Sequence, residues 1–395
     1  MPDTLLRDPT LVFAYLAALV GGIFWLSGRP ALQRLFDRVP ALVFCYFVPT
    51  LSSAAGITPL QSPVYDWMSR FLLPICLLLL MVSVDVPAIL KVGRTAILMM
   101  VAGTIGIILG GPIAFLIFQG ALPPDAWKAL AALSGSWIGG SANFVAIAES
   151  VGAPDAVLGP AIVVDTVVGY SWMAVLLAMS AWQTRWDDAI GARREAFEEA
   201  SRHLAELQAH KHPTALRDLL LLLGLGFGGA AASVAIGDRL PAIGDPTIIS
   251  RATWAVLVAV TAGILLSFTP VRQLEAVGAS TMGYGALYLL IASIGARADL
   301  HAVLQTPAFL GAGVVWIAIH VAVLFLAAWL LRAPLFFVAT GSMANIGGAA
   351  SAPVVAAAYH PAMAPVGLLL GVSGYILGIY GGLACAWILG ALAGR

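Results

Sequence analysis

The sequence predicts an all-α polytopic membrane protein with about 12 hydrophobic segments. Of its 395 residues, 61% are hydrophobic and only 10% are charged, whereas a soluble globular chain carries about 25% charged residues. Long runs such as 95–119 and 362–394 contain no charged residue, and about 20 apolar residues span a bilayer as a helix. Lys+Arg and Asp+Glu balance at 20 each, so net charge gives no indication of a nucleic-acid partner.

A hydrophilic linker, 184–213, divides the predicted segments into two sets of six. We therefore predict an N-terminal repeat at 1–183 and a C-terminal repeat at 214–395. The first six segments are 11–28, 40–57, 68–84, 95–119, 130–150 and 156–183. The second six are 215–237, 253–271, 276–296, 308–331, 336–358 and 362–392.

Apolar residues recur at helical spacing in the linker, which predicts an amphipathic helix. These residues are Trp186, Ile190, Phe197, Ala200, Leu204 and Leu207. The helix either lies on the surface of the bilayer or protein, or forms a coiled-coil contact with a second subunit. The side of the membrane on which the linker lies, cytoplasmic or interfacial, stays open.

Three short matches in the same order indicate internal duplication. The matched pairs are Asp85–Leu90 with Asp299–Leu304, Ile138–Gly140 with Ile346–Gly348, and Val168–Tyr170 with Ser373–Tyr375. Inverted repeats need an odd number of crossings between equivalent helices. With six segments per half, either one segment fails to cross, or the linker region hides a crossing, or the repeats are parallel.

Two glycine-rich stretches, 135–143 and 341–351, interrupt otherwise apolar segments. Glycine weakens a helix by about 1 kcal/mol relative to alanine, so each stretch predicts a helix that breaks at mid-membrane depth. Such breaks at corresponding positions of two repeats indicate the binding site of a secondary transporter. We expect the breaks to face one another and to contact substrate through Ser136, Gly139, Gly140, Ser342, Gly347, Gly348 and Ser351.

Asp165 is the only acidic residue deep inside a predicted span. A charged side chain at the bilayer centre costs roughly 2.5–3.5 kcal/mol, and no Lys or Arg lies at comparable depth. These facts favour a bound cation or proton over a carboxyl group that only joins two helices. Several intramembrane tyrosines could donate hydrogen bonds to substrate, but aromatic packing is the simpler interpretation.

The order of these elements resembles that of the cation:proton antiporter and anion transporter superfamily. Among its characterised members, it is most similar to the bile acid:sodium symporters. The whole chain resembles the YjcL-like integral-membrane proteins, a family of unknown function in that superfamily. The resemblance implies inverted repeats with two crossing discontinuous helices at 130–150 and 336–358. It implies panel helices at 11–90 and 215–300 that move against core helices at 95–182 and 308–392.

On matching positions the resemblance implies Na⁺ or H⁺ coupling through Ser141, Asn143, Asp165, Thr166, Thr340 and Asn345. The chain departs from those symporters because no acidic residue occurs near Thr340, which puts a two-sodium site in doubt. Its predicted spans also lack the consecutive aspartates of electrogenic Na⁺/H⁺ antiporters.

We therefore expect a secondary active transporter, not an enzyme, in the inner membrane of a bacterial cell. It would move a small organic anion (a carboxylate, amino acid or acidic peptide) with Na⁺ or H⁺, as a homodimer and without a cofactor. The alternatives are a cation/proton exchanger that uses Asp165 and, more remotely, an intramembrane hydrolase that pairs Ser136 or Ser141 with His320.

Overall fold

The computed structural model describes residues 4–36, 41–90, 92–192, 213–243, 250–297, 306–360 and 363–394. In these ranges the fold is helical, which confirms the predicted class. Within these ranges, eight helices are long and apolar enough to cross a membrane, and up to ten if each of two bent helix pairs forms one span. The chain is a polytopic α-helical membrane protein.

The main helices before the linker follow the predicted segments, and the glycine-rich segment gives two of them. They are α1 (Pro9–Ser27), α2 (Ala41–Ala54), α3 (Pro63–Val82), α4 (Arg94–Phe118), α5 (Ala126–Gly139), α6 (Ser141–Ser150) and α7 (Asp155–Met179). Short helical turns occur at Pro30–Leu32, Gln33–Phe36, Val86–Leu90, Ser180–Trp182 and Gln183–Ile190.

After the linker, the second glycine-rich segment again gives two of the main helices. They are α8 (Leu216–Gly237), α9 (Arg251–Ser267), α10 (Ala279–Arg297), α11 (Thr306–Leu331), α12 (Leu335–Ile346), α13 (Gly348–Tyr359) and α14 (Ala364–Ala393), with a short turn at Pro270–Val277. The hexad Asp299–Leu304 and the part of the predicted linker helix from 193 onwards lie outside the described residues.

Helix starts follow local capping chemistry. The Asp8 carboxylate accepts hydrogen bonds from the backbone N–H groups of Thr10 and Leu11 at 2.9 and 3.1 Å, at the start of α1. The Ser250 hydroxyl accepts from the Thr253 N–H at 3.2 Å, at the start of α9. Each cap satisfies N–H groups that have no partner within the helix, so these polar residues define where the apolar helices begin.

The helices pack in two groups. In the first, which we call the core group, α14 packs along α4, α5 and α13, and α11 packs along α4 and α7. In the second, the panel group, α10 packs along α2 and α3, and α9 packs along α3 and α8. The groups meet where α6 contacts α9 and where α7 contacts α10, and the division of the chain into two repeats stays a prediction.

Each glycine-rich segment folds back on itself as a helical hairpin. Phe336 is the second residue of α12 and Tyr359 is the last residue of α13, yet their ring centroids are 6.3 Å apart. In the first hairpin, a Cβ built on Gly135 would lie 2.9 Å from Ile147 Cγ1. A continuous helix would separate these two residues by about 18 Å at 1.5 Å per residue. Each segment is thus discontinuous, as predicted, but its two halves lie side by side instead of in line.

The backbone at the hairpin tips explains the reversal. Gly140 has φ +84° and Gly348 has φ +57°, a region that glycine adopts without the steric cost of a side chain. At each of these glycines one helix gives way to the next, and the chain changes direction. Glycine content alone predicts that a helix breaks, but the angle of the break depends on these backbone torsions.

Contacts between helices define two ends of the bundle. At the Arg297 end, Arg297 lies beside Glu149 and Asp155. At the Arg272 end, Arg272 Nη1 lies 2.7 Å from Asp85 Oδ1. Because each hairpin returns to the end where it started, the described part of the chain has up to ten spans, five on each side of the linker. An odd number of crossings per half is compatible with inverted repeats.

We predict that cysteines placed at 336 and 359 will be joined rapidly by a short bifunctional thiol reagent. The two rings already touch in the hairpin, whereas a helix crossing the membrane would separate the same residues by about 35 Å. The control pair is Phe336→Cys with Ala350→Cys, since Ala350 lies beside the tip, about one helix length away. Mass spectrometry of membranes measures both, and equal cross-linking of the two pairs would contradict the hairpin.

Candidate functional site

A cavity of about 160 Å³ lies where the two hairpin tips meet, between the core and panel groups. A Cβ built on Gly348 would lie 4.0 Å from Gly140 Cα, so the tips are in contact. Residues of both hairpins, α7 and α14 line the core side, and Leu42, Leu80, Tyr284 and Tyr288 line the panel side. The cavity is therefore bounded by surfaces of both helix groups.

Eight of the predicted site residues line this cavity. They are Ser136, Gly140, Ser141, Asp165, Thr166, Gly347, Gly348 and Ser351. They come from four helices and the two tips, so the fold brings together residues more than 200 positions apart in the sequence. The remaining predicted residues, Gly139, Asn143, Thr340, Ser342 and Asn345, do not line it.

Asp165 supplies the charge of the cavity. Its Oδ2 accepts a hydrogen bond of 2.8 Å from Ser136 Oγ. The Thr166 hydroxyl donates to the Ile162 carbonyl oxygen at 2.9 Å, so its own oxygen keeps an acceptor site. Among the described residues that line the cavity there is no Lys or Arg. The Asp165 carboxylate can therefore be neutralised there by a bound cation or a proton.

Both hairpin tips also present a helix N-terminus to the cavity. α6 starts at Ser141 and α13 starts at Gly348, and both residues line the cavity. The first N–H groups of a helix have no partner within the helix, and a helix N-terminus carries a partial positive charge. Two such ends at one cavity favour an anion.

Asn345 is buried and fully hydrogen-bonded elsewhere. Its Oδ1 accepts from Thr104 Oγ1 at 2.9 Å. Its Nδ2 donates to the carbonyl oxygens of Met100 and Gly341 at 3.1 and 2.9 Å. These bonds fasten α12 to α4, which is a packing role that the sequence did not indicate. Its predicted part in Na⁺ coupling stays a prediction.

Asn143 and Thr340 each keep a free oxygen. Asn143 Nδ2 donates to the carbonyl oxygens of Gly374 and Tyr375 at 3.3 and 3.2 Å. Within the described part of the chain, Asn143 Oδ1 and Thr340 Oγ1 are buried without a hydrogen-bond partner. An unpartnered buried oxygen is costly, and both atoms are of the kind that ligates Na⁺.

Ser342 belongs to a separate buried network in the core group. Its Oγ accepts from Trp172 Nε1 at 2.8 Å and donates to His320 Nε2 at 2.9 Å, because His320 Nδ1 donates to the Gly103 carbonyl oxygen at 3.0 Å. The histidine is thereby held as one neutral tautomer. His320 contacts Ser342 and not Ser136 or Ser141, with which the hydrolase alternative paired it.

Two tyrosines join the helix groups across the cavity. The hydroxyls of Tyr284, on α10, and Tyr375, on α14, hydrogen-bond to each other, and both residues line the cavity. The sequence interpretation favoured aromatic packing for such tyrosines. Their position inside apolar segments could have predicted this bond, because a buried tyrosine hydroxyl needs a polar partner.

Comparison with known proteins supports a membrane protein. The family model described as "Protein of unknown function (DUF819)" matches residues 14–392. The uncharacterized membrane protein YjcL of Bacillus subtilis (strain 168) is 26% identical over 334 residues, which cover 83% of this chain and 84% of that relative. The resemblance to YjcL-like membrane proteins is thus confirmed, and the chain belongs to the DUF819 family of proteins of unknown function.

Proposed function

We propose that the protein is a secondary transporter that carries a small organic anion across a bacterial inner membrane, coupled to Na⁺ or H⁺. The observation that supports this most is the joint lining of one cavity by two helix N-termini and by the carboxylate of Asp165. The first feature attracts an anion, and the second attracts a cation.

The coexistence of these features explains coupling. Two unit charges 4 Å apart interact by about 4 kcal/mol at an effective dielectric constant of 20. An anion at the hairpin tips is therefore repelled by an ionised Asp165 in the same cavity. Binding of Na⁺ or H⁺ at Asp165 removes this repulsion, so anion and cation favour each other's binding. Positive coupling of this kind is what symport requires.

The cavity also limits the substrate. Its volume of about 160 Å³ is smaller than the roughly 300–1,000 Å³ of pockets for drug-sized ligands. A short carboxylate or a small amino acid fits best, and an acidic peptide requires the helix groups to separate. Transport by relative movement of the two groups provides such a change in shape.

The protein is further proposed to have no catalytic activity and to assemble as a homodimer. We propose no enzymatic activity, since His320 is engaged by Ser342 and Gly103. Homodimer formation rests on the amphipathic pattern of the linker alone.

A cation/proton exchanger is the second candidate, because Asp165 is the one ionisable carboxylate among the described residues lining the cavity. It would carry Na⁺ and H⁺ in turn at this residue and need no organic substrate. Everted vesicles that show Na⁺-driven pH changes without added anions would support this function.

We predict that Na⁺ stabilises the detergent-purified protein and that a transported anion stabilises it further only when Na⁺ or low pH is supplied. A ligand at 100 times its dissociation constant raises the free energy of unfolding by about 2.7 kcal/mol. The measurement is a thermal-shift screen of small carboxylates and amino acids in NaCl, with choline chloride of equal ionic strength as control. No response to Na⁺, pH or any anion would reject the proposed transport function.

A further inference from the structure

We propose that Arg297 is the latch of a gate that closes the cavity from the outer face of the membrane. This inference rests on the transport function proposed above. It adds a residue that lies outside the cavity and acts by joining the core group to the panel group.

The route from the cavity to the Arg297 end is closed by apolar side chains. A space of only about 10 Å³ remains there, and a single water needs roughly 10–15 Å³. Its apolar walls come from core helices α6 and α7 and from panel helices α2 and α10. They include Phe144, Val145, Ile162, Ile291 and Ile294. An ion cannot pass this seal unless the helix groups separate.

Arg297 lies on the far side of the seal. On α10 it follows the cavity residue Tyr288 by nine positions, and on α6 Glu149 follows the cavity residue Ser141 by eight. At 1.5 Å per residue both separations are about 12–14 Å. The seal therefore has the cavity at one face and the Arg297 ion cluster at the other.

The Arg297 guanidinium bridges the two groups of helices. It lies 3.9 Å from Glu149 Oε1 and 3.4 Å from Asp155 Oδ2 on the core side, and 3.8 Å from Asp66 Oδ1 on its own panel side. It also donates to Ser69 Oγ at 3.4 Å. Close charge-assisted hydrogen bonds measure about 2.7–2.9 Å, so these contacts are loose enough to be exchanged when the groups move.

Burial decides which of these contacts matter. The side chains of Arg297, Asp155 and Glu149 are 19%, 26% and 30% exposed, whereas that of Asp66 is 84% exposed. Solvent screens exposed pairs strongly and partly buried pairs much less. The link from Arg297 to the core carboxylates is therefore the effective one. Without Arg297, those two carboxylates face the Asp66 carboxylate of the panel group, and like charges push the groups apart.

The distribution of basic residues indicates that the Arg297 end is outside. α7 runs away from Asp155, so the linker begins at the Arg272 end, and the Thr214 hydroxyl donates to the Val277 carbonyl oxygen at 2.8 Å, so the linker also ends there. The linker contains five Lys/Arg residues, and Arg94 starts α4 at the same end. Loops with many Lys and Arg residues stay cytoplasmic, which places Arg297 at the opposite face.

The test uses a reporter cysteine in the cavity. Leu42→Cys lines the cavity and the seal, and Cys45, Cys76 and Cys385 are replaced by alanine. A membrane-impermeant thiol reagent is applied to intact cells for the outer face and to inverted vesicles for the inner face. We expect protection from outside with Arg297 present. Arg297→Gln should speed labelling from outside roughly five- to tenfold and slow it from inside.

Matched variants separate a latch from a general loss of packing. Arg297→Lys should keep most of the protection. Arg70→Gln should leave it unchanged, because Arg70 pairs at 2.6 Å with Asp238 inside the panel group. The charge swap Arg297→Glu with Asp155→Arg should restore protection that Arg297→Glu alone removes, which also covers the case in which Arg297→Gln does not fold.

Three outcomes would overturn the latch. They are free labelling from outside with Arg297 present, no change on Arg297→Gln, and equal acceleration from both faces. Labelling needs no substrate and no Na⁺. If labelling rejects the latch but the thermal-shift screen is positive, the proposed transport function still stands. If Arg297→Gln changes labelling from one face only and no ligand gives a thermal shift, Arg297 closes a gate around a cavity of another function.

Discussion

Asp165→Asn is expected to abolish the stabilisation of the protein by Na⁺ without destabilising the cation-free protein. Asparagine keeps the size of the side chain and a carbonyl oxygen for the Ser136 hydroxyl, which now donates to Asp165 at 2.8 Å. It removes the charge that attracts the cation. Because an uncompensated carboxylate away from water is costly, the free energy of unfolding without Na⁺ should stay equal or rise.

The size of the effect follows from ligand linkage. If the wild type at 100 times its dissociation constant for Na⁺ gains about 2.7 kcal/mol, a 100-fold loss of affinity leaves only about 0.4 kcal/mol. Thermal unfolding in NaCl and in choline chloride measures both values. Ser136→Ala should cause a smaller loss, since it removes one hydrogen bond and keeps the carboxylate.

Asp125→Asn is the matched control. Asp125 forms a partly exposed ion pair with Lys128 at 3.1 Å, and neither residue lines the cavity. This substitution removes the same charge but should leave the Na⁺ response intact. Equal stabilisation of the wild type and Asp165→Asn by Na⁺ would contradict the assignment of Asp165 as the coupling site.

The helix breaks were predictable because their cause is local. Glycine at 140 and 348 permits the positive φ that each tip adopts, and a charge-free run predicts a span from composition alone. Asp165 was predictable for a similar reason, since depth in an apolar run already marks a carboxylate as unusual. The sequence thus identified both tips and the charged residue of the cavity.

What could not be predicted depends on tertiary contacts. Asn345 mirrors Asn143 in the sequence pattern, but Thr104, Met100 and Gly341 use its amide completely. The fold-back of the hairpins depends on packing between their halves, which composition does not report. The Arg297 cluster escaped notice because its partners lie on α3, α6 and α7, so the sequence gives no local pattern.

Gly139→Ala is expected to cause the largest loss of stability of any alanine substitution at a hairpin tip. A Cβ at this position would meet Asn143 Nδ2 and the Gly374 carbonyl oxygen well inside 3.0 Å. The second of these is backbone of α14 and cannot rotate away. Since Asn143 Nδ2 itself bonds to that carbonyl oxygen and to the one of Tyr375, the added methyl group must separate α5 from α14.

Overpacking a well-packed core costs typically 1–3 kcal/mol, and a clash with backbone exceeds that range. We therefore expect Gly139→Ala to lose more than about 3 kcal/mol in unfolding free energy or to yield little monodisperse protein. Gly228→Ala is the control, because nothing lies within 4 Å of its Cβ position on α8 and alanine favours a helix by about 1 kcal/mol. Gly378→Ala, which approaches Asn143 Nδ2 from α14, should be as damaging as Gly139→Ala. If both behaved like Gly228→Ala, the hairpin tip would not be packed against α14, and the cavity beside it would lose its core wall.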